Sequence, residues 1–167
     1  MLRDRLIKMG ACEDAVAWVG DRDITAAWAE CQRADWMLWL AGRLVARPLV
    51  VLAACACART TLRYVPTDEN RPRVAIETAE RWARGAATSA EVRSAAAAAA
   101  DACATDADAD ACAASDACDA ATTCAANAAA TVYAADGRKV ALAQMANLVR
   151  GIIVADQVAA GLEGRND

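Results

Sequence analysis

The chain contains no histidine and no phenylalanine, and only three prolines, eight glycines and two lysines in 167 residues. Without histidine it lacks the commonest near-neutral acid–base group and the commonest metal ligand, which excludes many enzyme mechanisms at once. Without phenylalanine, the interior falls to Trp, Leu, Val, Cys and Ala. So little proline and glycine suits helices joined by short turns. Long apolar runs are missing as well. The longest, Leu49–Ala58, has ten residues, against about 20 needed to span a bilayer. Arg43, Arg47 and Pro48 interrupt the wider stretch Trp36–Ala58. The first residues, MLRDRLIKMGACED, carry charges where a secretory signal needs an apolar core. The expectation is a cytoplasmic protein with no membrane partner.

Catalytic and metal-binding patterns are equally scarce. There is no CxxC, and Cys112, Cys118 and Cys124 recur every six residues, which turns each about 120° from the last on a helix. DADADAC lacks the glycine and closing glutamate of a calcium loop. Glu77 and Glu80 alternate with arginines, the pattern of surface ion pairing. The sequence therefore predicts no catalytic residues, no metal and no cofactor. Its eight cysteines read as reduced thiols packed between helices.

Hydrophobic residues make up 57% of the chain, enough for one folded domain over residues 1–167. No stretch alternates as a half-buried strand does. The pattern predicts an all-α bundle of about seven or eight helices. Helices are expected near Leu2–Met9, Cys12–Val19, Ile24–Arg33 and Asp35–Val45, and from Pro48 to about Tyr64. Another starts at Arg71–Pro72, with four-spaced pairs Arg73–Glu77, Glu77–Arg81 and Glu80–Arg84, and ends at Gly85. Thr88 and Glu91 form a capping box for the next helix.

Residues 86–136 are nearly a three-letter text of Ala, Asp and Cys. As one helix, Thr88–Asp136 would run about 70 Å, against a radius of gyration of about 15 Å for such a chain. A break at Thr105–Asp110 makes it an Ala-rich helical hairpin. A last helix is expected over Lys139–Ala160, within a C-terminal segment 137–167. Eight carboxylates against Arg93 alone give residues 86–136 a charge of −7, leaving +3 elsewhere in a chain whose formal charge is −4. Asp101, Asp108, Asp116 and Asp119 form an acidic face suited to a basic protein partner and unsuited to nucleic acid.

The remaining chemistry is tryptophan. Trp28, Trp36, Trp39 and Trp82 lie in segments that also hold Asp35, Arg43, Arg71, Arg73 and Glu77. Trp and Arg are enriched at binding hot spots. The same indoles could equally serve the core of a protein without phenylalanine, with arginines stacked at its margin. As binding residues the sequence offers Trp28, Asp35, Trp36, Trp39, Arg71, Arg73, Glu77 and Trp82.

The blocks AWAECQRADWMLWLAGRL, LVVLAACACAR, YVPTDENRPRVAIETAERWARG and ATSAEVRSAAAAAA resemble, in order and spacing, the immunity proteins of bacterial polymorphic toxin systems, specifically the immunity-five-like group. The likeness covers residues 27–100 and includes Cys55, Arg59, Pro66, Pro72, Glu80 and Gly85 besides the tryptophans. It implies an all-helical cytoplasmic protein that neutralises a toxin by binding, and it brings no catalytic residues. Asp and Cys stand here where that group often has Tyr in its Ala-rich tract. Two other functions stay open: a small-ligand binder or enzyme of a phage–host defence conflict, with a pocket near Trp36, Trp39, Arg71 and Glu77, and a structural module of a larger assembly.

Overall fold

The structure is a computed structural model that describes residues 1–65, 67–103 and 135–164, with only the backbone at Tyr64, 100–103 and 135–138. The described residues form nine α-helices and no strand. In chain order these are α1 (Leu2–Lys8), α2 (Glu13–Val19), α3 (Ile24–Glu30), α4 (Ala34–Leu44), α5 (Arg47–Arg59), α6 (Arg71–Ala83), α7 (Ser89–Cys103), α8 (Ala135–Ile152) and α9 (Ala155–Glu163), with one 3₁₀ turn at Leu62–Tyr64. The all-α expectation holds. The expected break at Thr105–Asp110, the second arm of the Ala-rich hairpin, and Asp108, Asp116 and Asp119 lie outside the described residues.

The local signals act as their chemistry requires. Pro48 and Pro72 sit in the first turns of α5 and α6, where a missing N–H costs nothing. Gly85 takes φ +75° after α6, and the amides of Gly85 and Ala86 return to the carbonyls of Trp82 and Arg81. That double closure needs a residue at ease in the left-handed region. Thr88 and Glu91 cap α7 reciprocally: the Thr88 amide donates to the Glu91 carboxylate at 2.7 Å and the Glu91 amide to the Thr88 hydroxyl at 3.2 Å. Of the three four-spaced pairs on α6, only Glu80–Arg84 comes within ion-pair distance among the described residues, at 3.8 Å.

Three helix ends differ from expectation, each because a side chain takes over backbone hydrogen bonding. α3 stops at Glu30, where the Arg150 guanidinium donates to the carbonyls of Trp28 (3.1 Å) and Cys31 (2.7 Å). α5 stops at Arg59, where the Thr60 and Thr61 hydroxyls donate back to the carbonyls of Cys57 and Ala58. The single C-terminal helix expected over Lys139–Ala160 is two helices, α8 and α9, bent by 73°. Ile152, Ile153 and Val154 form a β-branched run at the bend. There the Gln157 side chain accepts the Val154 amide at 3.1 Å, starting a new helix.

α5 organises the packing because it is apolar on two sides. Val50, Ala53, Ala54 and Cys57, spaced as one helical stripe, join a core with Trp28, Met37, Leu38, Val149, Ile153 and Val158. Val51, Cys55 and Ala58, on the other stripe, join a second cluster with Ile76, Ala79 and Val92. α4 and α5 pack on α8, α9 packs on α3 and α4, and α6 lies between α5 and α7. The Arg59 guanidinium and Glu80 carboxylate join α5 to α6 through two bonds of 2.7 and 3.0 Å. No single helix among the described residues is long and apolar enough to cross a membrane. The bent α8–α9 pair passes that test of length and composition together, and it buries Met145, Val149, Ile153, Val158 and Leu162 inside the protein.

Candidate functional site: a tryptophan-lined cleft

α1 to α4 enclose a cleft of about 460 Å³. Leu2 and Leu6 of α1, Trp18 and Val19 of α2, Ile24 and Ala27 of α3, and Trp36, Met37, Trp39 and Leu40 of α4 line it. The spacing of Trp36, Trp39 and Leu40 places them on one side of α4. Trp18 and Trp36 meet across the cleft with ring centroids 6.1 Å apart and planes tilted by 57°. Trp18, Trp36 and Trp39 are half-buried, so the cleft keeps an open side.

Each of these three indoles carries an arginine on one face. Arg22 lies 4.9 Å from the Trp18 ring, Arg33 lies 4.3 Å from Trp36, and Arg43 lies 3.7 Å from Trp39. Arg22 also bonds Glu30 at 2.8 Å and the Trp18 carbonyl at 2.6 Å. Arg33 grips Asp35 through Nε (2.9 Å) and Nη2 (2.6 Å). Among the described residues, Arg33 and Asp35 are the only charged ones in the cleft lining, and they neutralise one another. The bond to Asp35 pushes the Arg33 guanidinium further toward its charged form.

Polar chemistry within the cleft is otherwise sparse. Trp28 is 4% exposed and spends its indole N–H on the Ile153 carbonyl. By contrast, the N–H groups of Trp18, Trp36 and Trp39 donate to no acceptor among the described residues. Cys12 and Cys31 also line the cleft, and burial pushes the Cys31 thiol up, away from a reactive thiolate. Among the described residues no cluster of three Cys, Asp or Glu is placed to hold a metal ion.

The residues proposed from sequence fall into two places. Trp28, Asp35, Trp36 and Trp39 line the cleft; Arg71, Arg73, Glu77 and Trp82 are on α6 and do not. Arg71 bonds Glu69 through Nε at 2.9 and 3.0 Å, which holds that carboxyl down at about 2. Arg73 and Glu77 are exposed, and Trp82 packs on the second cluster with its N–H on the Ser89 hydroxyl. Asp101 is on α7. Sequence reasoning missed Trp18 and Arg33. The signal for both was a repeated pattern, since each half-buried tryptophan of the cleft, Trp18, Trp36 and Trp39, has an arginine three or four residues away.

Compared with known proteins, the chain matches no family model, no curated protein and no solved structure.

Proposed function

We propose that the protein is a non-catalytic binding protein of the immunity type, which neutralises a protein toxin in the cytoplasm by covering a surface the toxin needs. The observation that carries this reading is the cleft: concave, apolar and walled by three half-buried indoles, with its Arg33–Asp35 ion pair closed on itself. Tryptophans in a desolvated pocket flanked by arginine are the composition of a binding hot spot. Among the described residues the lining holds no acid–base pair beyond the closed Arg33–Asp35 bridge. The acidic tract over residues 86–136 adds long-range attraction for a basic toxin and disfavours nucleic acid.

The test is co-expression with the neighbouring gene's product as the candidate toxin, reading growth. Protection by the intact protein, lost with Trp36→Ala and retained with Trp82→Ala, supports the proposal. Absence of protection by the intact protein overturns it.

The cleft volume also favours a second reading, because about 460 Å³ lies within the range of small-molecule pockets. On that reading the protein sequesters a small ligand in a phage–host conflict. Native mass spectrometry of the protein purified from its own cells separates the two: a stoichiometric adduct of a few hundred daltons selects the ligand reading.

A further inference from the structure

Charge decides what the cleft can accept. A cationic group entering it meets Arg33, stacked 4.3 Å from the Trp36 ring centroid, and finds the lining carboxylate of Asp35 already paired to that arginine. An anionic group finds the one lining cation, Arg33, already held by both oxygens of Asp35. Either charge would be desolvated without a partner, which is strongly unfavourable. A neutral apolar group loses nothing on entry and gains contact with the indoles, Leu6, Ile24 and Leu40.

The donors refine the choice. Trp28 and Trp82 spend their N–H groups inside the fold, whereas those of Trp18, Trp36 and Trp39 have no acceptor among the described residues. Tryptophan N–H is a donor only, so the group that satisfies it must bring acceptor oxygens. A peptide carries such an oxygen at every residue, beside its side chain.

Resting on the binding reading above, we infer that the cleft takes an uncharged aromatic or branched aliphatic side chain of the partner protein, with main-chain carbonyls of the same segment accepting from the free indoles. Selectivity against charge comes from the Arg33–Asp35 pair. That pair keeps the cleft neutral and holds Arg33 on the Trp36 face.

The experiment needs no toxin. The ¹⁵N-labelled full chain has five indole N–H signals, and these are followed during titration with N-acetyl-leucinamide, N-acetyl-tryptophanamide, N-acetyl-lysinamide and N-acetyl-glutamic acid amide. The two neutral probes shift the Trp18, Trp36 and Trp39 signals with dissociation constants of order 1 mM, the range for fragments of this size. They leave Trp28 and Trp82 in place, and the two charged probes bind at least tenfold more weakly. In Asp35→Asn, which leaves Arg33 without its counter-charge, the glutamic probe gains at least threefold. Charged probes binding as well as neutral ones, or neutral probes moving none of the three signals, overturns the inference. If the probes behave as expected and protection against the toxin fails, the functional proposal falls while the chemistry of the cleft stands.

Discussion

Trp28 and Ile153, 125 residues apart, are joined by a buried hydrogen bond of 3.0 Å from the indole N–H to the carbonyl at the bend between α8 and α9. Arg150 crosses the same junction in the other direction, donating to the Trp28 and Cys31 carbonyls. Together they fix the floor of the cleft to the C-terminal helices. Trp28→Phe removes the donor and leaves a buried carbonyl unpaired, a loss of about 2 kcal/mol. Urea unfolding should show a lower midpoint with an unchanged slope.

Gly161 of α9 lies close against Leu44 at the end of α4. A Cβ there falls 2.8 Å from the Leu44 Cβ and closer still to the Leu44 carbonyl oxygen. Gly161→Ala must therefore push the helices apart, and the expected cost of about 1–3 kcal/mol exceeds the helix-propensity gain of about 1 kcal/mol. Gly42→Ala, on an exposed turn of α4 with nothing within 4 Å of its Cβ, should raise stability by about 0.5–1 kcal/mol. Thermal melts of the two variants should move in opposite directions.

Arg59 holds the Glu80 carboxyl below its usual value of 4.5, first through their hydrogen bonds and then through charge, with Arg84 adding to the effect. A carboxyl more acidic in the folded than in the unfolded chain stabilises the fold at neutral pH. That contribution disappears as pH falls from about 4.5 through the lowered folded value. The pair is partly exposed, so Glu80→Gln should cost only about 1 kcal/mol at pH 7. It should also flatten the acid limb of the stability profile.

Cys57 gives the opposite limb. Burial between α5 and α8 pushes its thiol up from 9.0 to about 12. Above about pH 9 the unfolded thiol ionises while the folded one cannot, so stability falls by about 1.4 kcal/mol per pH unit until the folded thiol titrates. In Cys57→Ala that contribution to the alkaline slope should vanish, as read by denaturant midpoints between pH 8 and 10.

Much of the helical frame was legible because local chemistry specifies it: Pro48 and Pro72 at helix starts, Gly85 at a stop, Thr88 with Glu91 at a cap. The bend at Ile152–Val154 was not, since the apolar period runs through it and its cause is long-range, a carbonyl claimed by Trp28 and an amide claimed by Gln157. The site was half legible for the same reason. Trp36 and Trp39 announced themselves by composition. Which tryptophans share the cleft was not legible, because nothing local reveals that α5 separates two apolar clusters and puts Trp82 with the second.

Calorimetric titration of the neighbouring gene's product, the toxin that the proposal calls for, into the wild-type protein, Trp36→Ala, and the α6 double variant Arg73→Ala/Glu77→Ala tests the cleft as the recognition site. Trp36→Ala should weaken binding by about 30-fold or more, the loss of a central anchor pocket, while the α6 variant stays within about threefold of wild type. Undiminished affinity in a folded Trp36→Ala protein, with affinity lost in the α6 variant, would move recognition to the other side of the molecule and contradict the account.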